Sequence, residues 1–343
     1  MKKRNKLKTY LRFVGIVVLL TIIITIYYSF FAVTDFVGEK VVTVSKGMNF
    51  SQVADSLKSF GVIRSKFFFM LAGKVLNIEK KIRVGKYLFV KGMSNLDILN
   101  DFKDGKSVLL IPVTIREGLR ATMISKIFMR ELGIDSSAFV KLVFDNKFAK
   151  EMGIWASSLE GYLMPNTYNF FWQTDEEEII SRMVQEFWKV YNDTLQSRAE
   201  ALGLSMNDVI TMASIVEGET DIPEERPIIA GVYYNRVKKK MPLQADPTIQ
   251  YVIPDGPRRL RYSDLTINSP YNTYKYLGLP PGPINNPGKD AILAVLYPTN
   301  HSFLYFVATG NGGHTFSKLY SEHQKAVKSY RKERDKNIIR YQN

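Results

Sequence analysis

The chain has 343 residues, with 47 Lys and Arg against 33 Asp and Glu, three His and no Cys, for a formal net charge of +14. Hydrophobic residues make up 45% and charged residues 23%, a globular composition that excludes a wholly disordered chain. The absence of cysteine excludes a disulfide scaffold, a thiolate zinc site, an iron–sulfur cluster and a cysteine nucleophile. The basic surplus leaves nucleic acid, an anionic membrane or an acidic polymer as partners to separate.

Residues 1–12 hold Lys2, Lys3, Arg4, Lys6, Lys8 and Arg12 and no acid. From Phe13 to Val33 no residue is charged. As a helix, that run is about 30 Å long, the hydrocarbon thickness of a bilayer. Asp35 and Glu39 follow it. The positive-inside rule puts residues 1–12 in the cytoplasm, a transmembrane signal anchor at 13–33 and the rest outside the cell membrane. The rival reading is a cleaved signal peptide. The apolar run is long for one, and Ser29-Phe30-Phe31-Ala32 is a poor cleavage site. A further +5 lies in residues 325–340, within and just before a basic C-terminal tail assigned to 331–343. Only +3 remains for the rest of the chain. The surplus is therefore mostly an orientation signal and a tail, and the outward topology argues against nucleic acid.

The predicted fold class is α+β, with a small module at 34–107 and a larger catalytic domain at 108–330. Val41–Val44 reads as a strand. Ser51 opens a helix with Val53, Ala54, Leu57 and Phe60 at helical spacing, stopped by Gly61. Ser65 starts a second helix, Ile82–Phe89 alternates like a strand, and Ser94 caps a third helix. This order resembles a LysM-like module, which implies docking on N-acetylglucosamine-containing glycans. Val108–Ile115 is the next predicted strand, at an edge because of Pro112. Arg116-Glu117-Gly118 turns into helices that reach about Phe148. One long helix is expected from Thr174-Asp175-Glu176-Glu177 to about Ala201, with Gly203 after it. Ser205-Met206-Asn207-Asp208 is a capping box for another. Residues 278–288, Gly-Leu-Pro-Pro-Gly-Pro-Ile-Asn-Asn-Pro-Gly, form a stiff extended loop. Gly310-Asn311-Gly312-Gly313 is a hairpin turn between two strands.

The helix from Met206 carries Val209, Ile210, Met212, Ala213, Ile215 and Val216 before Glu217. Ile210, Ala213 and Ser214 precede Glu217 by seven, four and three residues, so all four share one stripe. Glu217 is the only acid on it. Gly218 is read as the helix stop, which leaves Glu219, Asp221, Glu224 and Glu225 solvated. Burial and the negative end of the helix both disfavour the Glu217 carboxylate. A carboxyl that keeps its proton near neutral pH is suited to general-acid work. The bland alternative is a structural ion pair with Arg226 or Arg236. Four polar, Tyr-rich or Pro-rich loops around it favour a carbohydrate groove, because Tyr packs on sugar faces and amides bond hydroxyls. The three His lack metal-ligand spacing and there is no Walker A or H-E-x-x-H motif, so no metal and no cofactor is expected.

The run Ala213-Ser214-Ile215-Val216-Glu217-Gly218-Glu219-Thr220 resembles the signature of the endolytic murein transglycosylase family. Other blocks resemble it in the same order, over about residues 40–330. They are Leu159-Glu160-Gly161-Tyr162, Glu224-Glu225-Arg226-Pro227 leading to Tyr234-Asn235-Arg236, Met241 to Thr248, Tyr271-Asn272-Thr273-Tyr274, Gly278 to Ile284, Tyr305–Ala308 and His314–Ser317. The resemblance implies cleavage of the β-1,4 bond between N-acetylmuramic acid and N-acetylglucosamine, anchoring in the cytoplasmic membrane and termination of nascent glycan strands. It places the acid and base on Glu217. Gly218 departs from the larger residue some members carry there. One Glu suffices for such a lyase. It protonates the glycosidic oxygen, then takes the proton of the muramic acid C6 hydroxyl as that oxygen attacks C1, leaving a 1,6-anhydro ring. Asn235, Gln244, Asp246 and Tyr271 are the substrate-binding candidates. The partners implied are peptidoglycan strands, the membrane and peptidoglycan synthases. Two alternatives stay open. One is a membrane-tethered glycan-binding protein without catalysis. The other is a hydrolytic muramidase with Asp246 or Glu160 as second carboxylate.

Overall fold

Helix α1 (Lys2–Ile26) runs into a π-helical turn, Tyr27–Phe31. In this computed structural model residues 2–34, 36–254, 256–310 and 312–342 are described. Asp35 and Asn311 lie outside that set, as do the side chains of Lys2, Lys3, Arg4, Asp335, Lys336 and Arg340. Asn5–Phe31 is long and apolar enough to cross a membrane: an 18-residue stretch of it has mean hydropathy 2.4 and is 6% buried.

The chain divides into two units. The first is Met1–Pro112 with Glu131–Gly133 and Asn169–Thr174. In it β1 (Lys40–Val44), α2 (Phe50–Ser59), α3 (Lys66–Val75), β2 (Gly85–Phe89) and α4 (Asn95–Asp104) follow in chain order. The two strands pair antiparallel, with Val42 opposite Tyr87. Asn49 and Gln52 cap α2 reciprocally, and Ser94 and Asp97 do the same for α4. Val42, Val44, Val53, Leu57, Phe69, Tyr87, Phe89 and Phe102 form the core. Each contributes roughly 1.5–3 kcal/mol of burial. Gly73 is dictated by packing: a Cβ there would lie 2.2 Å from the Phe50 ring.

The second unit is Val113–Arg130, Ile134–Tyr168 and Asp175–Asn343. The elements from residue 111 onward are β3 (Ile111–Thr114), α5 (Ala121–Leu132), α6 (Ser136–Val143), α7 (Asn146–Glu151) and β4 (Thr167–Phe170). There follow α8 (Glu176–Val190), α9 (Asp193–Ala201), α10 (Met206–Glu219), α11 (Arg226–Lys238), α12 (Asp246–Val252), α13 (Lys289–Leu296), β5 (Tyr305–Ala308), β6 (His314–Ser317) and α14 (Tyr320–Gln342). Ser205 and Asp208 cap α10 as the sequence predicts. Every residue of α10 from Val209 to Glu217 is buried. A helix apolar on all faces has to be enclosed, and α11 and α13 pack against it.

Three expectations are corrected. The long helix to Ala201 is two helices, because Asn192 caps α9 by accepting the Leu195 N–H. The strand at 108–115 is shorter, Ile111–Thr114, and Val108 instead bridges to Tyr87. Gly218 does not stop α10, which runs to Glu219. A Cβ at Gly218 would lie 2.8 Å from Pro247, so this glycine serves close approach. The basic C-terminal stretch continues helix α14.

Candidate active site

The Pro-rich loop is tied to the helix that carries Glu217. Ser214, on the same stripe, accepts the Ile284 N–H at its Oγ, and its carbonyl accepts the Asn285 amide. Asn286 extends the tie to the Leu159–Tyr162 block. Its Oδ1 accepts the N–H groups of Gly161 and Leu163, and its Nδ2 donates to Leu119 O and Glu160 Oε1. Gly161 has φ +93 and meets Pro283 where a Cβ would sit, so only glycine fits. These bonds fix Gly288, the last residue of the loop, beside Glu217.

Glu217 is 8% exposed. Its Oε1 accepts from Arg226 Nη2 at 2.8 Å and its Oε2 from the Gly288 N–H at 3.0 Å. Burial is the largest influence and pushes its carboxyl up. The Gly288 N–H and Arg226 hold it down, while Glu117 and Asp221 push it up again. The net direction is upward, as the burial argument requires. Glu217 lines an open cleft of about 770 Å³ together with Arg116, Glu117, Asn166, Asp221 and Arg226. That volume is in the range of ligand sites.

The other sequence candidates lie elsewhere. Gln244 and Asp246 are exposed and line a different cavity of about 670 Å³ with Glu219, Arg236 and Tyr274. Tyr274 donates its hydroxyl to Asp246. Asn235 donates to the carbonyls of His301 and Phe303, which is a scaffold task. Tyr271 packs on the Tyr251 ring at 4.9 Å, and its hydroxyl is pushed up by burial and the Glu160 charge. So the structure brings Gln244 and Asp246 together, but neither of them lines the Glu217 cleft.

Three acids differ from their sequence-based expectation. Glu219 is not solvated: Tyr233 donates to it, and burial pushes its carboxyl up to about 7. Glu225 accepts from His314 N–H, His314 Nδ1 and Thr220. Burial opposes its ionisation, but the His314 bonds hold its carboxyl below the usual range. Glu117, in sequence no more than part of a turn, lies 3.3 Å from Arg226 Nη2. The available signal is an acid three residues after a strand and directly before a glycine. Of the two arginines that the sequence offers to Glu217, Arg226 is the partner. Asp221 and Glu224 are exposed as expected, although Asp221 lines the cleft.

The YceG-like family model matches residues 42–329. The chain belongs to the YceG-like family. It is 34% identical over 304 residues to an endolytic murein transglycosylase of Bacillus subtilis (strain 168), covering 84% of each chain. It is 31% identical over 314 residues to an endolytic murein transglycosylase of Streptococcus pneumoniae R6, covering 81% of this chain but 56% of that relative. A crystal structure of a yceG-like protein from Listeria monocytogenes matches with a TM-score of 0.60 at 30% identity, over 84% of this chain and 98% of that one.

Glu160 has an internal task in this member of the family. It is 2% exposed, and one oxygen accepts both the Ala121 N–H and the Asn286 amide. Burial pushes its carboxyl up to about 7, against those two bonds and Arg120. A carboxyl raised in the folded state binds its proton more tightly there than in the unfolded chain. Stability is therefore full below the ordinary value of 4.5 and falls as pH rises toward 7. The loss reaches at most roughly 3 kcal/mol. Glu160→Gln keeps the shape and removes the ionisation. Its melting temperature should exceed that of the parent at about pH 8, and the gap should narrow at about pH 5. A gap that is the same at both pH values contradicts this.

Proposed function

We propose that the chain is a membrane-anchored, endolytic lytic transglycosylase of peptidoglycan, with Glu217 as its single acid and base. The observation that carries the proposal is the Glu217 carboxyl itself. It is shielded enough for burial to raise it, and it sits on the wall of an open, polar cleft. The relatives named endolytic murein transglycosylase support the substrate class.

The reaction follows from that one group. Protonated Glu217 gives its proton to the oxygen bridging N-acetylmuramic acid and N-acetylglucosamine, and the C1–O bond breaks. The carboxylate left behind takes the proton from the C6 hydroxyl of the muramic acid. The C6 oxygen bonds to C1, giving a 1,6-anhydro end. One proton leaves and one returns, and no water is consumed. Gln244 and Asp246 are exposed in a neighbouring cavity and are proposed to bind strand hydroxyls and acetamides. Asn235 and Tyr271 are proposed to act through the scaffold around them. The run Asn5–Phe31 serves as the anchor, with the N-terminus cytoplasmic and the enzyme outside, beside the peptidoglycan synthases whose nascent strands it ends. The antiparallel β1–β2 pair with α2 and α3 between them supports a LysM-like glycan-docking role for the first unit.

Glu117 favours one second reading. Two carboxylates in one cleft are the equipment of a hydrolase. Under that reading the second acid is Glu117 rather than Asp221, the third acid of the cleft, because Glu117 reaches the Arg226 that Glu217 binds, while Glu160 is engaged internally and Asp246 lines another cavity.

The full chain in detergent, incubated with purified peptidoglycan, should release soluble fragments several disaccharides long. Binding without release would support a non-catalytic glycan binder instead.

A further inference from the structure

N–H donors on both oxygens of a carboxyl favour its carboxylate form, and the O–H gained on protonation competes with the donor on the same oxygen. An ionised carboxylate is acceptor-only, and protonation turns one oxygen into a donor. Glu217 stands in that fully engaged state, with Arg226 on one oxygen and the Gly288 N–H on the other. Its acid form is favoured when one donor moves off the oxygen that takes the proton. The Gly288 N–H is backbone, held by a loop that Ser214 and Asn286 fix. Arg226 is the donor that is free to leave.

Three features say where it goes. Arg226 Nη2 reaches Glu117 Oε2 at 3.3 Å while bonding Glu217 Oε1 at 2.8 Å, so one nitrogen already serves both acids. Arg226 Nε is buried without a hydrogen-bond partner among the described residues, so the guanidinium is not locked by the bidentate fork of a rigid structural pair. Glu117 fits against the loop because residue 288 is glycine. A Cβ there would lie 1.9 Å from Glu117 Oε1.

We infer that Glu117 is a positioning residue that takes Arg226 whenever Glu217 holds its proton, so that the guanidinium passes between the two carboxylates as Glu217 changes from acid to base. Arg226 stays charged and paired throughout, and no buried charge is stranded. The inference rests on Glu217 being the proton donor. The charged groups facing Glu217 are Arg226 from α11, Asp221 from the α10–α11 connection, and Arg116 and Glu117 from the segment after β3. The Pro-rich loop faces it with the Gly288 N–H.

The test is the pH–rate profile of fragment release by the full chain in detergent. Glu117→Gln leaves Arg226 on Glu217 alone and removes a charge that raises it. The alkaline limb should move to lower pH by about one unit. Activity on the alkaline side of the limb should fall about tenfold and recover on acidification. Glu117→Asp keeps the charge with a shorter reach and should move the limb the same way by less. A uniform drop at every pH, with the limb unmoved in either folded variant, overturns the inference. Should Glu117→Gln fail to fold, Glu117→Asp decides alone by the same criterion. Glu217→Gln is run alongside: full activity there would bring down the reading of Glu217 itself, whereas an inactive Glu217→Gln with an unmoved limb in the Glu117 variants brings down only the pairing.

Discussion

Glu217→Gln is expected to lower peptidoglycan cleavage by about a thousandfold, within the usual 10²–10⁴ range of general acid–base catalysis. The substitution preserves volume, and the introduced carboxamide can still accept one of the two N–H donors that now converge on Glu217. Its amide nitrogen then faces the other donor, so a local readjustment of Arg226 accompanies the loss. The change removes neither α10 nor the Ser214 tie to the loop. The variant should therefore melt near the parent temperature and still co-sediment with peptidoglycan. Cleavage within tenfold of the parent would mean that another group supplies the proton.

The largest effect on stability is expected at Asn286. It is fully buried, and its side chain makes four hydrogen bonds. Asn286→Leu keeps comparable volume but strands the N–H groups of Gly161 and Leu163 and removes a donor from Glu160. A stranded buried polar group costs about 1–3 kcal/mol. The variant should lose roughly 3–5 kcal/mol, or about 10 °C of melting temperature for a unit of this size. Cleavage should also fall well below that temperature, because the same loop holds Gly288 against Glu217 and Glu117. A melting temperature within about 2–3 °C of the parent would contradict the assignment of Asn286 as the tie between the two blocks.

Glu217 is legible in the sequence because its evidence is local. A capping box at Ser205 starts α10, and helical spacing puts Glu217 on a stripe with Ile210, Ala213 and Ser214. Both signals follow from 3.6 residues per turn. Where the sequence misleads, the deciding contact is distant along the chain. Gly218 looks like a stop because glycine often ends helices. Here it is helical, and Pro247 requires its small size. Glu219 is misplaced by the same step, since a longer helix turns that acid toward Tyr233. The break at Asn192 lies in an otherwise continuous helical pattern, and only its capping chemistry marks it. Asn235 shows the limit of composition. A carboxamide suited to a sugar acetamide is equally suited to the carbonyls of His301 and Phe303, and it bonds those. Glu117 gives almost no signal, because its meaning comes from Arg226, 109 positions away in the chain.

The central claim is that one carboxyl does the work of acid and base, and the chemistry of the released ends tests it most directly. The full chain is incubated with peptidoglycan in ¹⁸O-labelled water and the fragments are read by mass spectrometry. The account predicts 1,6-anhydro-muramic ends, lighter by one water than reducing ends and free of ¹⁸O. Reducing ends carrying ¹⁸O would contradict it and establish hydrolysis.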